Sequence, residues 1–164
     1  MNVAEMFEQV YNQDYNELDL EFDEFLAAQV KYKNAVISGE SALTLHWLID
    51  ARNDKLQLTF KHGKHAIDDP KIDFFYKKPE KFEGDLQLID TPFGNEVVAL
   101  TPQRAILDIW ENTKSDIRWK KQSVKNFIDG PQKMSDLIDF INLRHGSQKL
   151  LDYLYAMKEF NYVG

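Results

Sequence analysis

The sequence contains no cysteine, so it offers no disulfide framework, no thiolate metal site and no cysteine nucleophile. It also lacks an apolar run approaching the roughly 20 residues that span a bilayer, and it begins with neither a basic nor an apolar signal segment. Glycine and proline are sparse, at 7 and 5 of 164 residues, and no linker rich in them divides the chain. These absences predict one cytoplasmic domain over residues 1–164 that makes no membrane contact.

Motifs that would hold a cofactor or metal are also scarce. Neither a dinucleotide-binding fingerprint nor a Walker sequence occurs. The main enzyme hypothesis uses His62 and His65, whose spacing would let them share an ion with the carboxylate of Asp68 or Asp69. Two lysines lie in the same segment and would oppose a divalent ion, so we expect an exposed loop there. The sequence therefore predicts a non-enzymatic protein with no cofactor, no metal ligands and no catalytic residues.

Charge is unevenly distributed along the chain, whose net charge is −7. Residues 1–34 contain eight acidic and two basic residues, whereas residues 101–164 contain eight acidic and ten basic ones. The acidic balance argues against indiscriminate nucleic-acid binding, although a local basic face could still bind phosphates. Residues 1–34 are interpreted as an acidic helical lead-in to a core at 35–160.

Hydrophobic periodicity predicts an α+β fold. Helices are expected at 3–11, 19–32 and 40–48, with Ser38 capping the third and with Leu43, Trp47 and Leu48 facing inward. Strands are expected at 35–37, 55–60, 72–76, 85–89 and 96–100, and the second of these alternates like a half-buried strand. Four further helices follow, at about 102–110, 116–128, 132–144 and 147–159. The result is a small mixed or antiparallel sheet packed by helices, with N-terminal helices and a C-terminal helical tail.

One basic cluster is a candidate binding site. Four cations lie around an aromatic residue on the helix expected at 116–128: Arg118, Lys120, Lys121 and Lys125. The four-residue step between Lys121 and Lys125 places both on one helix face. Such a patch could bind phosphates of a nucleic acid or an acidic protein surface. The alternative interpretation is a solvated helix face with Trp119 packed inward.

Two segments resemble the AbiEi-like antitoxins of bacterial abortive-infection systems. The first is VISGESALTLHWL at 36–48, which includes Ser38, Gly39, Ala42 and Leu43. The second is VVALTPQRAILD at 97–108, which includes Arg104 and Asp108. The order and spacing of the two segments, with short strands between them and a helical tail after them, match that family. Independently of the resemblance, Gly39 permits close approach of a neighbouring segment, and Arg104 can pair with Asp108 across one helical turn.

The resemblance implies a non-enzymatic antitoxin that counteracts a nucleotidyltransferase-type toxin and represses its own operon. In that family a winged-helix DNA-binding domain usually precedes the matched region, whereas here a strongly acidic segment of about 34 residues precedes it. Gln103 also stands where the family tends to have an acidic residue. We therefore expect recognition of a toxin protein more than autorepression. The alternative function is a nucleic-acid-binding transcriptional regulator that uses the C-terminal basic helices.

Overall fold

A computed structural model describes residues 1–51, 54–61, 67–131 and 133–160. Over these residues the chain forms eight α-helices and a five-stranded sheet, which confirms the α+β prediction. The helices are α1 (Val3–Asn12), α2 (Glu17–Phe22), α3 (Glu24–Lys31), α4 (Gly39–Leu45), α5 (Pro102–Glu111), α6 (Ile117–Asp129), α7 (Met134–Leu143) and α8 (Gln148–Glu159). The strands are β1 (Val36–Ile37), β2 (Leu56–Lys61), β3 (Ile72–Lys77), β4 (Leu86–Asp90) and β5 (Glu96–Leu100).

The sheet is mixed and has the strand order β3-β2-β1-β5-β4. Strands β1 and β2 are antiparallel, as are β4 and β5, whereas β1 pairs with β5 and β2 with β3 in parallel. The turn between β4 and β5 forms as predicted, with Gly94 at a φ of 84°. Because β1 has only two residues, most of the adjoining edge of β5 needs hydrogen-bond partners from elsewhere.

Side chains supply those partners at alternate residues of β5. Gln13 exchanges two hydrogen bonds with the backbone of Glu96, and Gln29 exchanges two with the backbone of Val98. The imidazole Nε2 of His46 lies 2.7 Å from the carbonyl oxygen of Leu100. Residues two apart in a strand direct their backbone polar groups to the same edge. The helical lead-in is therefore part of the sheet's hydrogen bonding, and α1 and α3 are built into the core.

The prediction of one continuous helix at 19–32 is wrong, because the chain forms two helices, α2 and α3, with a break at Asp23. Asp23 is fully buried, and its Oδ1 accepts hydrogen bonds from the N–H groups of Phe25 and Leu26 at the start of α3. Its other oxygen accepts from Thr91 and from Asn95 in the β4–β5 turn. A buried carboxylate needs such donors, and meeting this requirement ends α2 and begins a new helix.

Ser38 does not cap α4 as predicted, because its hydroxyl oxygen accepts a hydrogen bond from Thr59 at 2.8 Å. Gln57 takes over the capping role, since its Oε1 accepts from the N–H of Glu40 at 2.7 Å. Gly39 has a φ of 54°, and a Cβ atom built on it would overlap with the Oε1 of Gln57. The predicted close approach at Gly39 is thus confirmed.

The end of α4 corrects the prediction that Trp47 faces inward. The N–H of Leu48 bonds to the carbonyl of Leu43, and the N–H of Trp47 bonds to that of Thr44. These two bonds form a Schellman motif, in which the apolar residue after the helix packs against an apolar residue of its last turns. The residue just before that apolar residue must adopt a left-handed backbone. Trp47 occupies that position with a φ of 60° and is 79% exposed, whereas Leu43 and Leu48 are buried as predicted.

Strand β2 is buried on both faces instead of being half-buried. Its polar residues Gln57 and Thr59 are 8% and 1% exposed. They are covered because the start of α4 packs against β2 and uses Gln57 and Thr59 as hydrogen-bond partners. Alternation of apolar and polar side chains predicts the strand correctly, but it misses this second buried face.

Helix α5 is the centre of the C-terminal half and is packed by α6, α7 and α8. Thr101 caps it and Pro102 occupies its first position, as predicted. The largest fully buried side chains come from both halves of the chain: Leu26, Ile37, Leu43, Leu58, Leu100, Ile106, Leu107, Ile109, Leu137, Ile141, Leu150 and Leu154. The break before α8 uses His145, at a φ of 51°, as its left-handed residue, while Gly146 allows close contact with Leu107.

Candidate functional site

A cleft of about 330 Å³ opens between β2 and β3 on one side and the last turns of α5 on the other. We call it the Asp108 cleft and define it by Ser38, Gln57, Phe75, Lys77, Asp108 and Glu111. Its volume is at the lower end of the range for pockets that bind small molecules. The lining combines one aromatic ring with several polar and ionisable groups.

Both segments that carry the family resemblance reach this cleft. Ser38 and Gly39 come from the first segment, and Asp108 comes from the second. Ala42 and Leu43 are fully buried and pack in the core, so they position α4 without lining the cleft. The structure thus brings the two segments together, but only some of the predicted residues are accessible to a ligand.

A network of ion pairs extends from the cleft into the interior. Arg104 lies 3.6 Å from Asp108, as predicted, and its Nε donates to Asp85 at 2.9 Å. Asp85 also accepts hydrogen bonds from Arg144, which links β4 to the end of α7. Lys77 on β3 completes the network with an Nζ–Oδ2 distance of 3.1 Å to Asp108. Removing one member would leave a buried charge without its partner, which is strongly destabilising.

The environment of Asp108 in this network changes the pKa of its carboxyl group. Its side chain is 9% exposed, and burial raises its pKa above the ordinary value. The cations Lys77 and Arg104 act in the opposite direction, whereas the negative charge of Glu111 adds to the rise. Two carboxylates therefore share one wall of the cleft, and only one of them has an ion pair among the residues that the structure describes.

The four cations proposed from sequence lie on α6, but not on one surface. Arg118, Lys121 and Lys125 are exposed and share a helix face at three- and four-residue steps. Lys120 is partly buried on the side that carries the buried Val124, and its carbonyl accepts from Trp110. Lys120 is therefore separated from the other three cations.

Acidic neighbours reduce the charge of that exposed face. Arg118 is paired with Asp116 at 3.0 Å, and Lys125 with Asp129 at 3.1 Å. Both ion pairs are exposed to solvent, so each contributes little free energy. A carboxylate of a binding partner can therefore replace Asp116 or Asp129. The alternative interpretation for Trp119 is confirmed, since its partly buried ring packs against the core.

Trp47 lies next to this helix. The side chain of Gln122 accepts from the N–H of Asp50, and the side-chain amide of Asn126 donates to the carbonyl of Leu48. The backbone that follows Trp47 is therefore fixed against the side of α6 that also carries Arg118 and Lys125. We call the combination of Trp47, Arg118, Lys121 and Lys125 the Trp47 face.

Neither a scan against protein-family models nor a search of curated proteins finds a match for this chain. The AbiEi resemblance therefore rests on the two sequence segments alone.

Of the residues in the histidine hypothesis, His62 and His65 lie outside the described residues. Asp69 accepts hydrogen bonds from the hydroxyl of Tyr32 and from the N–H of Lys71, and these bonds hold its pKa below the ordinary value. No group of three or more potential metal ligands occurs within the described part of the chain. In the same part, no helix has the length and apolar character needed to cross a bilayer.

Several residues of both surfaces were missed by the sequence analysis. Phe75 and Lys77 belong to an ordinary strand pattern, and only the register of β2 against β3 brings them beside α5. Glu111 ends a helix and carries no motif. The exposure of Trp47 could have been inferred from the Leu43 and Leu48 pair, whose spacing fits a Schellman motif with Trp47 at the left-handed position.

Proposed function

We propose that this protein is a non-enzymatic, antitoxin-like binding protein that recognises a protein partner through the Trp47 face. The observation that carries the proposal is the exposure of Trp47 in a left-handed backbone conformation. Tryptophan is the residue type most enriched among the side chains that dominate protein–protein binding energy. A bulky residue at positive φ costs free energy, and such costs are concentrated at functional positions.

The charges around Trp47 define the chemistry of the partner. Three exposed cations lie on α6, the helix that holds the backbone after Trp47, although the chain as a whole is acidic. A complementary surface would carry carboxylates that replace Asp116 and Asp129 as ion-pair partners, with an apolar pocket for the indole ring. Such complementarity contributes mainly to specificity and to the rate of association.

The AbiEi resemblance supports a particular class of partner, a nucleotidyltransferase-type toxin. Residues of the two matched segments form the walls of one cleft, and Trp47 is the penultimate residue of the first segment. The matched region therefore includes the residue on which the proposed interaction depends.

The test is co-expression of this chain with the product of the neighbouring gene, followed by pull-down and a growth assay. The wild-type chain should form a complex and restore growth, whereas Trp47→Ala should do neither. Phe93→Ala is the matched control, because Phe93 is an aromatic residue 59% exposed on the β4–β5 turn, outside the Trp47 face. If Trp47→Ala binds and rescues as well as Phe93→Ala does, the Trp47 face is not the binding surface.

A second candidate function is nucleic-acid binding by the same face. It is favoured by the exposed ring of Trp47 and the exposed cations Arg118, Lys121 and Lys125, since cations bind phosphates and aromatic rings stack on bases. Filter binding with duplex and single-stranded DNA should then show an affinity that falls steeply as salt rises. Substituting Lys121 with Gln should reduce the slope of that dependence. An affinity indifferent to salt would exclude this candidate.

A further inference from the structure

The Asp108 cleft has an excess of negative charge among its lining residues. Among the described residues that line it, Lys77 is the one cation, whereas Asp108 and Glu111 are both carboxylates. Asp108 is compensated by Lys77 and by Arg104, but Glu111 forms no ion pair with any other residue that the structure describes. The negative charge of Glu111 also contributes to the raised pKa of Asp108. Glu111 is thus the lining carboxylate with which a ligand cation can pair.

The end of α5 adds to this negative potential. Glu111 is the last residue of the helix, Asn112 is its C-cap, and both line the cleft. The backbone carbonyls of the last turn give a helix C-terminus a partial negative charge that favours cations. The cap N–H of Asn112 bonds to the carbonyls of Asp108 and Ile109, but the carbonyl oxygens can each accept a second bond.

An aromatic wall stands opposite these acceptors. Phe75 is a partly exposed residue of β3 in register with Thr59, and both residues line the cleft. The face of an aromatic ring attracts ammonium and guanidinium groups and also accommodates the alkyl chains that carry them. A ring has no corresponding attraction for anions.

We propose that the Asp108 cleft binds a small organic cation, a guanidinium or primary ammonium group on an alkyl chain. The charged group pairs with the carboxylate of Glu111 at the end of α5, and the alkyl chain packs on Phe75. The ammonium group of Lys77, which is paired with Asp108, limits the site to a single additional positive charge. The lining offers two carboxylates beside a lysine ammonium, which suits an organic cation better than a metal ion.

The same chemistry could come from a free metabolite or from an arginine or lysine side chain of a partner protein. None of the four residues of the Trp47 face lines the cleft, so its occupancy does not depend on that face. The two proposals can therefore fail separately.

The experiment titrates the isolated full-length chain with N-acetyl-arginine methylamide and with its neutral isostere N-acetyl-citrulline methylamide, followed by chemical shifts in the NMR spectrum. The arginine derivative should bind saturably, with shifts at residues of the cleft, and the citrulline derivative should not. Absence of saturable binding at millimolar concentration, or equal binding of the two compounds, would overturn the proposal.

Two substitutions should change the affinity in opposite directions. Glu111→Gln removes the uncompensated carboxylate and should weaken binding about threefold to tenfold. Lys77→Met removes the competing cation and should strengthen it. The matched control is Glu8→Gln, which removes an exposed carboxylate of α1. Because Lys77→Met also disturbs the pair with Asp108, its folding is checked by thermal unfolding; if it does not fold, Phe75→Leu, which should weaken binding, takes its place.

The source of the cation is then determined by competition. If the co-expressed partner displaces the arginine probe, and Trp47→Ala abolishes complex formation but not probe binding, the cleft accepts a side chain of that partner. If the partner does not displace the probe, the cleft takes a free small molecule. An affinity unchanged by Glu111→Gln would refute the cation site whichever source is considered.

Discussion

Substitution of Gln29 by leucine tests whether the N-terminal helices complete the sheet. Gln29 is fully buried on α3. Its side-chain amide donates to the carbonyls of Ala35 and Val98, each at 2.9 Å, and accepts from the N–H of Val98 at 2.7 Å. Leucine has a similar volume but replaces none of these bonds. The substitution therefore leaves three buried backbone groups without their partner.

The expected cost follows from those three groups. Each buried polar group that loses its partner costs about 1–3 kcal/mol. The additional apolar area of leucine offsets about 1–2 kcal/mol of that sum. We expect the free energy of unfolding to fall by about 1–8 kcal/mol, and most of that range is a large fraction of the stability of an ordinary domain.

Urea unfolding followed by tryptophan fluorescence measures this loss, provided that the dependence on urea concentration keeps the same slope. Gln13→Leu is the control, because Gln13 makes the equivalent pair of bonds to Glu96 at a partly exposed position. Water can replace its bonds, so it should lose only about 0.5–1.5 kcal/mol. A loss below about 1 kcal/mol for Gln29→Leu, or equal losses for both variants, would refute the reasoning.

Three further predictions concern single residues. Trp47→Gly should raise the free energy of unfolding by about 1 kcal/mol, because glycine tolerates the left-handed backbone, while abolishing partner binding; a less stable variant in urea unfolding would contradict this. Gly39→Ala should cost about 2–4 kcal/mol in the same assay, because its Cβ would displace the Oε1 of Gln57 and lose the cap of α4. Burial lowers the pKa of His46 from its ordinary value of 6.5, so the unfolded chain binds the proton more readily. His46 thus contributes stability that is present above pH 6.5 and is lost as pH falls, by up to about 1.4 kcal/mol per pH unit. The raised pKa of Asp108 acts in the opposite direction, so the comparison is with His46→Gln, whose stability should vary less with pH between about 5 and 7.

Local patterns predicted most elements because their causes lie within a few residues. Thr101 and Pro102 begin α5, and the residues from Glu96 to Leu100 form a strand with the predicted bounds. The pairing of Arg104 with Asp108 needs only one turn of helix. The break at Asp23 could not be predicted in this way, because it depends on donors from Thr91 and Asn95, about 70 positions along the chain.

The sequence by itself determined the class of fold, the order of the elements and the uneven distribution of charge, since hydrophobic period and capping chemistry act over short distances. Only the tertiary structure decided which polar residues are buried and which apolar ones are exposed. Gln29 is buried because a two-residue strand leaves β5 short of hydrogen-bond partners, and Trp47 is exposed because the closing contact of α4 requires a left-handed residue there. The Asp108 cleft exists because strand register places Lys77 beside α5. Such relations join distant parts of the chain, so no local pattern contains them.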